Sequence, residues 1–151
     1  MRTRVIALGI AASAWLAGPA VAQELLPADV GDLSVGKVIE VRDSTGKAVL
    51  CAPLDKKPIE GNEYESEAKL VGCGVDTKAT GESEVETKKL ATGLDQEVEL
   101  TVMGLPPETK YSIYIDKTLV GTFQTDKSGA AEVELKTALK KAKAKPKPSG
   151  N

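Results

Sequence analysis

Between residues 97 and 103 every second side chain is aliphatic (Val98, Leu100, Val102), and Glu97, Glu99 and Thr101 stand between them. Successive side chains of an extended strand point to opposite sides, so a period of two is buried by a strand with one wet face. The same alternation marks 111–115 and 131–135, and shorter β-prone runs cover 37–42, 47–52, 67–71, 81–87 and 119–123. Polar, glycine-bearing intervals such as Asp43-Ser44-Thr45-Gly46 and Asp126-Lys127-Ser128-Gly129 separate them, as turns do. Within 81–87 only Val85 is a large apolar residue, which reads as an edge strand. Residues 23–36 read as an irregular lead-in, and 53–66, charged and holding Pro58, Gly61 and Asn62, as a loop. The expected fold is all-β: an antiparallel β-sandwich of about eight short strands with one disulfide, ending in a disordered basic C-terminal tail.

The first 22 residues are of another kind. Arg2 and Arg4 precede twelve mostly apolar residues, then Gly18-Pro19 and Ala20-Val21-Ala22. This is the order of a secretory signal peptide cleaved after Ala22, leaving Gln23 as the mature N-terminus. A membrane span needs about 20 apolar residues, so no transmembrane segment is expected in the mature chain. The expected divisions are a signal peptide over 1–22, a β-domain over 23–135 and a tail over 136–151. The expected location is secreted or periplasmic. There disulfides persist, and Cys51 and Cys73, the two cysteines, read as a structural bridge rather than a close-spaced redox pair.

The whole chain carries a net charge of -2. Without Arg2 and Arg4, 18 basic side chains stand against 22 acidic ones, a net of -4. The tail takes six of the basic ones, Lys136, Lys140, Lys141, Lys143, Lys145 and Lys147, and no acid, so residues 23–135 carry -10. A Lys-Ala-Pro segment has too little apolar surface to fold alone. It is a candidate tether for an anionic polymer, whether membrane head groups, wall polymers or nucleic acid, the competing readings being a solubilising end or attraction to the chain's own acidic body.

Absent residues exclude much chemistry. The chain has no histidine, which removes the Ser-His-Asp and Cys-His nucleophiles and His-ligated metals. The mature aromatics are Tyr64, Tyr111, Tyr114 and Phe123, too few for stacking platforms, so specific nucleic-acid binding is not expected. Ser34-x-x-Lys37 and Ser66-x-x-Lys69 match the Ser-x-x-Lys acyltransferase pattern but lack its Ser-Asp-Asn and Lys-Thr-Gly companions. Neither an Asp-x-Asp-x-Asp-Gly calcium loop nor a glycine-rich phosphate loop occurs. The acids Glu60, Glu63, Glu65 and Glu67 read as a solvated loop, and no catalytic, cofactor or metal residue is expected.

Leu105-Pro106-Pro107-Glu108-Thr109-Lys110-Tyr111-Ser112-Ile113-Tyr114-Ile115 resembles the corner between two strands of fibronectin type III and other immunoglobulin-like domains. The resemblance implies an immunoglobulin-like sandwich, with Tyr111 as a tyrosine corner whose hydroxyl bonds back to upstream backbone. It implies nothing about activity. The function expected is therefore an exported, non-catalytic binding or structural module, its partner a protein or cell-surface polymer. The alternatives are a secreted inhibitor or small-ligand carrier using loops such as 53–66, and a hydrolase working with carboxylates alone.

Overall fold

The computed structural model describes residues 22–74 and 77–138. Ten strands form one sheet: β1 (Ala22–Leu25), β2 (Val38–Arg42), β3 (Ala48–Pro53), β4 (Asp55–Pro58), β5 (Glu63–Gly72), β6 (Thr80–Leu90), β7 (Gly93–Met103), β8 (Lys110–Ile115), β9 (Thr118–Gln124) and β10 (Ala131–Lys136). Their order is β1-β10-β7-β6-β5-β3-β2-β8-β9, with β4 added to β5. Every pairing is antiparallel except β1 with β10. The sheet coils until it nearly closes as a barrel. Gly121 on β9 then lies against β10, where a Cβ would come within 2.6 Å of Leu135 Cδ1.

Alternation places the core as expected. Val98, Leu100 and Val102 of β7 are buried together with Val133 and Leu135 of β10, and Ile39 and Val41 of β2 with Ile113 and Ile115 of β8. The turn at Asp43–Gly46 forms because the Asp43 carboxylate accepts from the amides of Thr45 (2.9 Å) and Lys47 (3.1 Å), while Gly46 takes φ +83°. Tyr111 is buried with its ring stacked on Phe123, centroids 5.5 Å apart.

Four expectations change. There are ten strands, not about eight. The region 53–66 is not a loop: it holds β4 and the start of β5, joined by a turn in which Gly61 takes φ +58°. Its alternation is hidden because the inward positions of β5 include Ser66 and Ala68 rather than large aliphatics. The lead-in contributes β1 and a short 3-10 helix, Leu33–Val35, capped by Asp32. Finally, β6 is no edge strand; it pairs with β5 on one side and β7 on the other. Its core face is Gly81, Ser83, Val85 and Thr87, and beside the valine the others are small or hydroxylic residues that read as solvent-facing in isolation. Ser83 settles there by donating to Glu99 O at 2.8 Å.

Cys51 and Cys73 are joined, their Cα atoms 5.8 Å apart. The bridge staples β3 to the end of β5, where the pairing register spans two residue pairs. Closing a 22-residue loop contributes roughly 3 kcal/mol through the unfolded chain. Of the expected signal peptide, residues 1–21 lie outside the described residues, and Ala22 begins β1. No helix among the described residues is long and apolar enough to cross a membrane.

Candidate functional site

The strand registers align the acidic residues on one face. Glu67 of β5 opposes Glu84 of β6, which opposes Glu99 of β7, which opposes Glu134 of β10. The next row along is Glu65, Glu86, Glu97 and Lys136; the row on the other side is Lys69, Glu82, Thr101 and Glu132. Nine glutamates thus share the outer face of four adjacent strands. Like charges placed directly opposite across a sheet repel.

Lysines at the margins offset part of this repulsion. Lys57 of β4 pairs with Glu67 at 2.5 Å, Lys88 pairs with Glu63, and Lys136 bridges Glu97 (2.9 Å) and Glu134. The titration behaviour follows the geometry. Glu84 is half-buried among acids, and burial first, then Glu65, Glu86 and Glu99, raises its pKa. Burial also raises Glu97, against the pull of Lys136, whereas the Lys136 hydrogen bond holds Glu134 below its ordinary value. The two acids in turn hold Lys136 above its own.

Two hollows open along this face. The larger, about 640 Å³, is bordered by Asp55 and Lys57 of β4 and floored by Glu67, Glu82, Glu84 and Glu99. The smaller, about 250 Å³, lies between Ile59, Glu63, Glu86, Lys88, Asp95 and Glu97. Carboxylate oxygens of Glu97, Glu99 and Glu134 lie within 4.8 Å of one another, so these three could hold a cation, and the Lys136 ammonium is already bonded to two of them. The chemistry available is attraction of positive charge.

Of the residues singled out in the sequence, Cys51 and Cys73 meet in the bridge and Lys136 ends β10 on the acidic face. Lys140, Lys141, Lys143, Lys145 and Lys147 lie outside the described residues. Tyr111 sits on β8, while the carbonyls of the adjoining corner are met by other hydroxyls: Thr125 Oγ1 donates to Pro106 O at 2.6 Å and Thr109 Oγ1 to Pro107 O at 2.9 Å. Ser66 faces the core and Lys69 faces solvent, so that Ser-x-x-Lys match brings no lysine to its serine. Sequence reasoning missed the ladder. Its trace was Glu-x-Glu spacing repeated at 65–67, 82–86, 97–99 and 132–134, which only register can assemble into one face. No protein-family model, curated protein or solved structure matches this chain.

The ladder gives stability an unusual pH dependence. A carboxyl whose folded pKa is raised destabilises the fold while ionised, and that cost is relieved as pH falls through the raised value; Glu84 and Glu97 are of this kind. Asp43 and Asp126, held low by their turn hydrogen bonds, contribute above the unfolded value and lose the contribution as pH falls through the lowered one. The melting temperature should therefore rise as pH falls from neutrality towards the ordinary carboxylate range and fall again once pH drops below that range. A steady decline from neutrality towards that range would show that the ladder is not strained by its own charge.

Proposed function

We propose that this chain is an exported, non-catalytic β module that binds an anionic cell-surface polymer through its lysine-rich tail. The reading includes an immunoglobulin-like sandwich, in which β1-β10-β7-β6-β5-β4 forms one layer and β9-β8-β2-β3 the other. The buried residues of β7 and β10 on one side and of β2 and β8 on the other support that layering. So does the resemblance at 105–115. The single observation that carries the function is the separation of charge: nine glutamates share one face of the sheet, and five lysines without an acid follow beyond β10. The acidic body repels a polyanion, so attraction falls to the tail. An inhibitor reading is favoured only by Ile59, 52% exposed in the β4–β5 turn.

Retention of the full mature chain on an anionic polysaccharide matrix tests the proposal. Each of the five lysines, if it displaces a counterion, steepens the salt dependence by about 0.7–0.9 in log–log slope. Replacing Lys140, Lys141, Lys143, Lys145 and Lys147 with glutamine should abolish retention. Equal elution of both forms at low salt would overturn the tether. Export itself predicts an intact mass beginning at Gln23, and a retained Met1 would refute it.

A further inference from the structure

We propose that the lysine tail has a seat on its own protein: residues 139–151 dock in cis on the acidic face, entering the smaller hollow between β6 and β7. This goes beyond tethering, and it stands whether or not an outside polymer binds.

Three observations meet at that place. The first is where the described chain stops. Thr137 is fastened to β7 in both directions, its amide donating to Gln96 O at 2.9 Å and its Oγ1 accepting from the Gln96 amide at 2.9 Å. Gln96 lines the smaller hollow, so the chain leaves its last fixed point beside that opening. The second is charge. Glu63, Glu86, Asp95 and Glu97 border the hollow with Lys88 the single base among its lining residues, and Lys88 is already paired with Glu63. The tail offers five further lysines. The third is a precedent within the structure. Lys136, first of the six lysines of this run, lies on the face between Glu97 and Glu134. The lysines that follow extend a contact already made.

Length permits it. Thirteen residues reach at most about 43–47 Å when extended. Crossing from β10 to β5 takes three inter-strand steps, about 14 Å. The seated tail would put cationic groups beside Glu86 and Glu84, where no lysine of the neighbouring strands directly opposes them. It would also withdraw its lysines from outside polyanions, and salt would release them.

Zero-length carbodiimide coupling of the full mature chain, read by peptide mass spectrometry of the monomer band, tests this directly. At low salt, amide links from Lys140–Lys147 to Glu84, Glu86, Glu97 and Glu99 should exceed those to Glu40 and Glu108 by about tenfold, falling towards parity at about 0.5 M salt as the charges are screened. An even scatter at low salt, or links confined to a dimer band, would overturn the proposal. A second readout avoids truncation. In the full chain with the five lysines changed to glutamine, the amide resonances of Glu86 and Glu97 should shift while those of β2 and β8 stay in place. Shifts limited to the tail itself would also overturn it. Neither measurement contains a polymer, so failure of the tether and failure of the seat are read separately.

Discussion

Gly129→Ala should cost the fold about 3–5 kcal/mol and lower the melting temperature by roughly 12–20 °C. Gly129 holds φ +79°, in the left-handed region, and that alone strains an L residue. The steric term is larger. A Cβ at this position would lie 1.9 Å from Leu105 O and 3.0 Å from Leu105 C, overlap that a side-chain rotation cannot relieve because the neighbour is backbone. Withdrawal is also blocked. Gly129 O accepts from the Leu105 amide at 3.1 Å, and its own amide donates to Asp126 O at 3.1 Å. The Asp126 carboxylate in turn accepts from Ser128 N at 2.7 Å and Ala130 N at 3.0 Å, fixing the turn that feeds β10. Gly46 is the control. It has nearly the same φ, +83°, but nothing lies within 4 Å of its would-be Cβ, so Gly46→Ala should cost only about 1 kcal/mol. Thermal melts of the two variants decide the matter. Equal losses would mean that backbone conformation, not the contact with Leu105, sets the cost.

The contrast between these glycines shows what local sequence can and cannot carry. Both lie at the end of an Asp-x-x-Gly turn, and both turns were legible from their polar, glycine-ended spacing. That Leu105 presses on one of them depends on two segments 24 residues apart meeting, which no window contains. The strands divide in the same way. Those of β7, β8 and β10 were legible because large aliphatics occupy every inward position. The strand β4 was not, because Asp55, Lys56 and Lys57 are all exposed and its one neighbour is β5. The central place of β6 was hidden by Ser83 and Thr87, polar side chains whose partners come from β7. Acid on the wet side of each strand was visible; a ladder of nine glutamates was not, since alternation fixes the face of a residue but leaves open which strand lies beside it. Residues 81–88 (GESEVETK) and 129–136 (GAAEVELK) share Gly, Glu, Val, Glu and Lys at matched positions, and their places in the sheet explain it. The two segments flank β7 on either side, and their Glu-Val-Glu cores turn valine inward and acid outward alike.

Gln96→Leu should lower stability by about 2–4 kcal/mol although the two side chains are similar in size, because the loss is one of hydrogen bonds rather than volume. The carboxamide of Gln96 is 4% exposed and serves as the hub between β7, β6 and the lead-in segment. Its Oε1 accepts from the Leu33 amide at 2.7 Å and from Thr87 Oγ1 at 3.3 Å, and its Nε2 donates to Gly31 O at 2.9 Å. Leucine satisfies none of these. The Leu33 amide would be left buried without a partner, at about 1–3 kcal/mol before relaxation, while the exposed Gly31 would lose its Gln96 donor at a smaller cost. Relaxation has a route: the short 3-10 segment can lift away, since between β1, which stays paired with β10, and β2 its other ties are the Asp32–Lys89 ion pair at 2.8 Å and the burial of Leu33 and Ser34. The backbone groups of Gln96 would still hold Thr137, so β10 and the start of the tail should stay in place. Amide hydrogen exchange separates the two ends. Exchange at Leu33 should accelerate well beyond the global loss of stability, while exchange at Thr137 should follow the global change alone. A variant that melts within about 1 °C of the parent, with Leu33 still protected, would show that the carboxamide is not what holds the lead-in to the sheet.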